Sequence, residues 1–322
     1  MQLKNAHTIH QIYITMRKNI IVIGDVVLDK YIYLLPKNLT YEKGKAAETV
    51  PLYDIVHIDK FLGGAYNVAY YLQNKLLDND VFFYTALPIN YRQYISDNIS
   101  YKCCDGNLKG VLDIKQRQAV DIFSTKEEIG TETARIKDRY DYRVPVAKYA
   151  ENDIYEFVKN INFHDADMVV ISDYRKGFFT KKILQHIIAN SKLVIVDTKN
   201  PVLEDYIGAN YIKLNLSEYI EITNLYSDKL DEITSMFKMI VTRGALSTVY
   251  AVPEIEDKTV MEISVDVEHV EQQYIRDTIG AGDAFVAGFT SGLLDTGDAV
   301  AAIKEGHKMA AIKLAHFGTQ WR

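Results

Sequence analysis

Asp277-Thr278-Ile279-Gly280-Ala281-Gly282-Asp283-Ala284-Phe285, continued by Val286-Ala287-Gly288-Phe289, is a turn of small residues that opens straight into an apolar helix, expected over 281–293. The first N–H groups of such a helix lack partners within it, and the aligned peptide dipoles add positive potential. Together they make a place for an anion. Glycine lets the backbone come close to a phosphate. Asp283, at the mouth of the helix, can take a proton from a substrate hydroxyl while Gly280, Ala281 and Gly282 surround the phosphoryl group. Phosphoryl transfer needs little more than positioning, charge neutralisation, magnesium and a base. The plainer alternative is a helix-capping Asp behind a glycine turn, and a bare Gly-x-Gly would not separate the two.

The rest of the chain supplies a frame for that turn. Residues 18–25 read as a buried strand, a β-branched run Ile20-Ile21-Val22-Ile23 closed by Gly24. Short apolar strands are expected at 80–86, 167–172, 192–197, 211–214 and 239–242, as for strands buried on both faces. Helical patterns fall between them near 65–77, 151–162, 181–189 and 217–224, with a last helix near 298–314. Strand alternating with helix predicts an α/β fold whose mainly parallel sheet is covered on both faces. Residues 31–61 and 111–149 break the alternation with period-two patterns such as Thr49-Val50-Pro51-Leu52-Tyr53. They are expected to form a small separate sheet, giving one domain over 1–322 with a β-rich lid.

Composition narrows the function classes. A chain of 322 residues with 48% apolar and 25% charged residues is expected to bury a sizeable core, not to be disordered. Net charge is −6, from 37 basic and 43 acidic residues, with no basic run, so a nucleic-acid partner is not expected. No window approaches the roughly 20 apolar residues of a membrane span, so no membrane partner is expected either. Residues 1–19 lack the apolar stretch of a signal peptide. The two cysteines, Cys103 and Cys104, are neighbours, and a disulfide between them would need strained geometry. Reduced thiols and a cytoplasmic location are expected. The eight histidines show no metal-ligand spacing.

The string 277–285 resembles the C-terminal signature of the ribokinase-type (PfkB) carbohydrate kinases. Other segments fit that family in order. Gly24-Asp25-Val26-Val27-Leu28-Asp29-Lys30-Tyr31 looks like its first sugar-binding segment. Gly63-Gly64-Ala65-Tyr66-Asn67 resembles its Gly-Gly-x-x-Asn signature, and Asn215-Leu216-Ser217-Glu218 its Asn-x-x-Glu motif, tied to magnesium and phosphate. Val241-Thr242-Arg243-Gly244 is similar to the strand-to-turn element beside the nucleotide. Within the family the closest likeness is to the D-glycero-D-manno-heptose-7-phosphate kinases, through the first segment, Ser172-Asp173-Tyr174-Arg175-Lys176-Gly177, and Asp197-Thr198-Lys199 followed by Asn215-Leu216-Ser217-Glu218. The resemblance implies a ribokinase-like three-layer sandwich. It also implies an ATP- and Mg2+-dependent kinase acting on the C1 hydroxyl of a heptose 7-phosphate, and a homodimer, because lid strands often pair between subunits in that family. Such kinases are fused in many bacteria to a nucleotidyltransferase. The sequence ends just past the kinase-like region, so that second activity is not expected.

Each motif has a chemical reason and a plainer alternative. Asp25 and Asp29 follow a strand end, where ligands of open α/β sheets bind, and carboxylates accept several sugar hydroxyls; either could instead cap a turn. Gly63, Gly64 and Asn67 would border the sugar, or only start a helix. Glu218 would hold magnesium through water, as hard cations prefer oxygen, or lie solvated on a helix. Asn215 would face the nucleotide, or be an N-cap. Lys199, Thr242, Arg243, Gly244 and His307 are the remaining candidates for the nucleotide site. A sugar phosphate needs cations away from ATP, and Arg135, Arg139, Arg143 and Lys176 are the candidates, unless they are surface residues.

Four departures from the family pattern stand out. Ser247 replaces a second glycine in the nucleotide turn. His307 stands where asparagine is usual near adenine. Ala86-Leu87-Pro88-Ile89 replaces a Val-Gly-x-Asp, which puts the position of the following helix in doubt. Thr133 sits where heptose kinases often carry lysine, which weakens the case for a 7-phosphate. A kinase for another sugar or a nucleoside, and a non-catalytic sugar- or nucleotide-binding protein on the same fold, therefore stay open. A dinucleotide-binding dehydrogenase is the weakest alternative, since 24–28 lacks Gly-x-Gly-x-x-Gly.

Overall fold

β1 (Asn19–Gly24) carries Ile20-Ile21-Val22-Ile23 into the middle of the molecule, where all four side chains are buried. β-Branched residues suit an extended segment packed on both faces. The structure is a computed structural model that describes residues 17–43, 49–75, 79–104, 114–121, 134–142, 151–254, 259–267 and 269–320. One residue, Asp25, separates β1 from β2 (Val26–Lys43), which pairs antiparallel with β3 (Thr49–Gly64). The chain continues through α1 (Ala65–Lys75), β4 (Asp80–Thr85), β5 (Ser100–Cys103), β6 (Ile114–Asp121), β7 (Ala134–Tyr142), α2 (Glu151–Lys159), β8 (Met168–Asp173), α3 (Lys181–Ala189) and β9 (Val194–Thr198). It ends with β10 (Tyr211–Asn215), α4 (Leu216–Tyr226), α5 (Leu230–Thr234), β11 (Lys238–Arg243), β12 (Leu246–Glu254), β13 (Thr259–Val265), α6 (Ala281–Thr296) and α7 (Ala299–Leu314).

The main sheet has nine strands in the order β13-β12-β11-β10-β9-β8-β1-β4-β5. From β11 to β5 all neighbours are parallel; β12 and β13 form an antiparallel edge. That edge follows from the short link around Gly244, whose φ of 65° permits a hairpin where a parallel return would need a long crossover. α2, α3 and α4 pack on one face through Ile154, Val158, Ile183, Ile187 and Ile222. α1, α6 and α7 cover the other. This is a three-layer α/β sandwich. α6 and α7 approach so closely that a Cβ on Gly288 would meet the Glu305 carbonyl oxygen at 2.5 Å.

A second sheet, in the order β3-β2-β6-β7, forms the lid. It begins at Val26, opposite Gly64, and not near Tyr31; Val26, Val27 and Leu28 are all buried. Asp29 therefore lies inside a lid strand, opposite Phe61, and not in a loop at the edge of the main sheet. Much of 111–149 lies outside the described residues. After β4 the chain forms only a short 3-10 turn, Ile89–Tyr94, behind the extended Pro88. Proline disfavours helical geometry in the residue before it, so Leu87 cannot start a helix easily. Strands β5, β12 and β13 and helix α5 were not anticipated. Cys103 and Cys104 are buried and form no disulfide.

Candidate active site

Gly280 is the N-cap of α6 and holds a left-handed φ of 82°, with the Thr319 carbonyl 3.0 Å from where a Cβ would stand. That conformation lets the chain turn sharply into the helix. The Ala281 N–H bends back to the Thr278 carbonyl at 3.3 Å. The Gly280, Gly282 and Asp283 N–H groups have no acceptor among the described residues, so within the expected Gly280–Gly282 set only the Ala281 amide is already committed. Lys213 Nζ is 3.3 Å from where a Cβ on Gly282 would stand, placing an ammonium beside these amides.

Asp283 is buried. Its Oδ2 accepts from Asn67 Nδ2 at 2.7 Å, and its Oδ1 accepts from the Tyr174 hydroxyl. Burial pushes its carboxyl up to about 6, the Asp197 charge adds to this, and the hydrogen bonds from Tyr174 and Asn67 hold it back. It is ionised at neutral pH yet more basic than a solvated aspartate, as a general base requires. Asn67 comes from the first turn of α1, which begins directly after Gly63-Gly64.

Tyr174 belongs to the loop after β8, and Asp25 holds that loop. The Asp25 carboxylate accepts backbone N–H groups from Tyr174 at 2.9 Å, Lys176 at 3.0 Å and Phe178 at 3.2 Å. Asp25 thus anchors this loop, and a sugar hydroxyl would have to share a carboxylate that already serves three donors. Burial, with the neighbouring Asp173 charge, pushes Asp25 up to about 7 against those three donors. Lys199 Nζ lies 4.1 Å from the Tyr174 ring centroid, a cation–π contact that sets an ammonium beside the base. Asp29 is buried with Oδ2 packed against Gly63, where a Cβ would come within 2.2 Å. Gly64, with φ of 69°, has the Asp25 carbonyl oxygen 2.6 Å from a Cβ position.

A second charged group flanks the turn. Lys213, buried in β10, donates to Asp197 Oδ1 at 2.9 Å. Asp197 and Glu218 hold the ammonium in its charged form against the cost of burial. Asn215 caps α4 in a reciprocal box: its side chain accepts from Glu218 N at 2.9 Å and Glu218 Oε2 accepts from Asn215 N at 2.7 Å. Asn215 is therefore a helix cap through its side-chain oxygen, which leaves its Nδ2 as the group that could meet a nucleotide. Burial raises the Glu218 carboxyl and Lys213 offsets the rise. Asp197 and Glu218 offer oxygen donors of the kind a hydrated Mg2+ takes.

Asp277 acts as the hub beneath the turn. Its carboxylate accepts from Tyr31 OH at 3.1 Å, Ile279 N at 3.0 Å and Gly318 N at 3.2 Å, tying lid, turn and C-terminal segment together. Lys213, Asp197, Tyr174 and Asp277 were not among the residues expected to carry function. Lys213 had a signal: a lone cation in the middle of the apolar run Tyr211-Ile212-Lys213-Leu214.

Beside the turn lies a cavity of about 430 Å³ bordered by Thr242, Gly244, Ala281, Gly282, Phe285 and His307. His307 stacks edge-on against Phe285, its buried Nε2 lacks a partner, and burial lowers its pKa. Arg243 does not project into the cavity. Its guanidinium folds back onto the Ser247 carbonyl at 2.7 Å and hydroxyl at 2.6 Å, so the serine that replaces glycine turns the arginine into a hairpin brace. Among the lid cations, Arg139 pairs with Asp141 through two 2.8 Å contacts on the exposed surface. The Arg135 side chain, Arg143 and Thr133 lie outside the described residues. Lys176 is half-buried beside the Asp25 loop. No group of three or more metal-ligating side chains occurs among the described residues, and none of their helices is long and apolar enough to cross a membrane.

Comparison with known proteins fits this geometry. A sequence model of pfkB family carbohydrate kinases matches residues 118–321, more than half of the chain. A bifunctional protein HldE from Pelobacter propionicus is 22% identical over 318 residues, covering 94% of this chain and 60% of that protein. The chain thus spans less than two thirds of that relative. A nucleoside kinase of Methanocaldococcus jannaschii superposes with a TM-score of 0.60 at 17% identity, covering 94% of this chain and 93% of that one. Arabidopsis thaliana ribokinase, solved with ribose and ATP, gives a TM-score of 0.60 at 14% identity, covering 94% of both chains. At these identities the two structures speak to the fold alone.

Proposed function

Since this chain belongs to the pfkB family of carbohydrate kinases and is an ATP-dependent carbohydrate kinase, we propose that its acceptor is the C1 hydroxyl of D-glycero-D-manno-heptose 7-phosphate and its product the 1,7-bisphosphate. The observation that carries the mechanism is the juxtaposition of a buried, basic Asp283 with the unpaired Gly282 and Asp283 amides at the mouth of α6. ATP would occupy the cavity bordered by Thr242, Gly244 and His307, with its γ-phosphoryl group over the turn. Asp283 takes the proton of the acceptor hydroxyl, whose oxygen attacks the γ-phosphorus, and ADP leaves. The amides, the α6 dipole and Lys213 receive the charge that develops on the transferred group. Magnesium would supply further neutralisation, held by Asp197 and, through water, by Glu218.

The heptose assignment rests on the Ser172–Gly177 and Asn215–Glu218 strings, and its 7-phosphate would be met by Arg135 and Lys176. A homodimer through the lid is part of the same proposal: β3 is an edge strand with Ile55, Val56 and Ile58 exposed. A phosphorylation screen of sugars and sugar phosphates, with products identified by phosphorus NMR, tests the acceptor. A 1,7-bisphosphate from the heptose 7-phosphate is expected. Turnover confined to unphosphorylated sugars or nucleosides overturns the substrate, and Arg135→Ala then leaves the preferred reaction unchanged.

A further inference from the structure

Lys313, on the last turn of α7, is the most deeply buried charged side chain among the described residues, at 0% exposure. Such a group ordinarily sits against a carboxylate. Lys313 does not: no carboxylate oxygen of the described residues lies within ion-pairing distance, and its bonds go elsewhere. Its Nζ donates instead to two main-chain carbonyls, Asp277 at 3.2 Å and His316 at 3.0 Å. Asp277 opens the anion-receiving turn, and His316 opens the segment whose Gly318 N–H returns to the Asp277 carboxylate at 3.2 Å. Arg276 N also reaches the Leu314 carbonyl at 2.7 Å. The ammonium therefore stands where α7, the 316–318 segment and the 277–283 turn converge. Burial pulls it down to about 8, with the Asp277 and Asp283 charges opposing the drop, so it carries its proton at neutral pH.

A desolvated positive charge held by backbone carbonyls is the environment proteins give to bare monovalent ions. A methylene chain would fill the space without the desolvation cost. What the ammonium adds is charge behind a turn that must receive a phosphoryl anion, and a fixed place for the Asp277 carbonyl. We propose that Lys313 is a built-in monovalent cation that holds the 277–283 turn in its anion-receiving shape, so that this kinase needs no monovalent ion from solution. Lys313 touches no substrate and acts as a positioning residue. The inference rests on ATP-dependent phosphoryl transfer and is independent of which sugar is the acceptor.

The test reads nucleotide binding, so failure of the heptose proposal does not disturb it. Affinity for the non-hydrolysable ATP analogue AMP-PNP with Mg2+ is measured by calorimetry in tetramethylammonium, potassium or ammonium chloride at equal ionic strength. Wild-type affinity is expected to agree within about twofold across the three salts. Lys313→Ala, which leaves room for an ion, is expected to lose roughly tenfold or more in tetramethylammonium and to recover most of it in potassium or ammonium. Lys313→Met, which fills the room, is expected to lose affinity without recovery. Potassium is also expected to raise the melting temperature of Lys313→Ala and not that of the wild type. A wild type stimulated by potassium more than about fivefold overturns the proposal; that arm needs no variant. So does a Lys313→Ala variant that binds normally in tetramethylammonium, or one whose loss neither ion repairs.

Discussion

Tyr174 donates its hydroxyl hydrogen bond to Oδ1 of Asp283, so the base is covered by a side chain from a loop that a second buried aspartate, Asp25, holds in place. Asn67 occupies the other oxygen. Each carboxylate oxygen retains one further lone pair, so an acceptor hydroxyl must share the base with Tyr174 or displace it. Tyr174 pulls the Asp283 carboxyl down from the level burial alone would set. Tyr174→Phe removes that pull. The acidic limb of the kcat/KM profile, expected near pH 6, should move up by about half to one unit. A pH–rate series on the two proteins checks it; an unmoved limb would mean Tyr174 does not contact the working base.

Asp283→Asn separates chemistry from folding. Turnover should fall by about 10²–10⁴ with ATP affinity nearly intact. Stability should move the other way. The folded carboxyl lies near 6 against an ordinary 3.8, so the folded protein binds this proton more tightly than the unfolded chain. The stability that proton brings is complete below pH 4 and is lost as pH rises through 6. Above pH 7 the native Asp283 costs the fold up to about 3 kcal/mol, so Asp283→Asn should melt higher there, with the gap closing toward pH 4. Melting curves of both proteins at pH 4 and pH 7.5 test the sign.

Asp25 distinguishes a loop anchor from a sugar ligand. Its carboxylate serves three backbone N–H groups. Asparagine offers one acceptor oxygen and turns an NH2 toward donors, leaving buried N–H groups unpaired at about 1–3 kcal/mol each. Asp25→Asn should therefore lower the melting temperature clearly, and hydrogen exchange at 174–178 should quicken. A variant of native stability with only a raised sugar KM would show that Asp25 serves the sugar and not the loop.

The parallel sheet was legible because its strands are buried on both faces and read as unbroken apolar runs, β1 and β8 most plainly. The turn at 280–283 was legible because its chemistry is local. Lys213, Asp197 and Tyr174 were not, since each acts through a partner far along the chain: Tyr174 meets Asp283 across 109 residues. The same distance hid the role of Asp25, whose donors lie about 150 residues on. Arg243 misled for the opposite reason. Its motif position matched, but short-range bonds to Ser247 had already committed its guanidinium. The antiparallel edge β12–β13 escaped although β12 holds the run Val249-Tyr250-Ala251-Val252, because a hairpin at Gly244 breaks the alternation of strand and helix.

His307 offers a test of the cavity. Its ring borders the same space as Gly244 and Ala281, and its Nε2 is buried with no partner among the described residues. Burial lowers its pKa, so the ring is neutral at pH 7 and can give or take one hydrogen bond with a nucleotide base. His307→Leu should raise the KM for ATP by roughly three- to tenfold, about one hydrogen bond, and leave the KM for the sugar unchanged. The sign for stability is also fixed. A histidine kept neutral by the fold is protonated more readily in the unfolded chain, so stability is lost as pH falls through about 6.5. His307→Leu removes that loss. The variant should hold its melting temperature between pH 7 and pH 5 better than the native protein, and an unchanged KM for ATP would exclude this cavity as the base-binding end of the site.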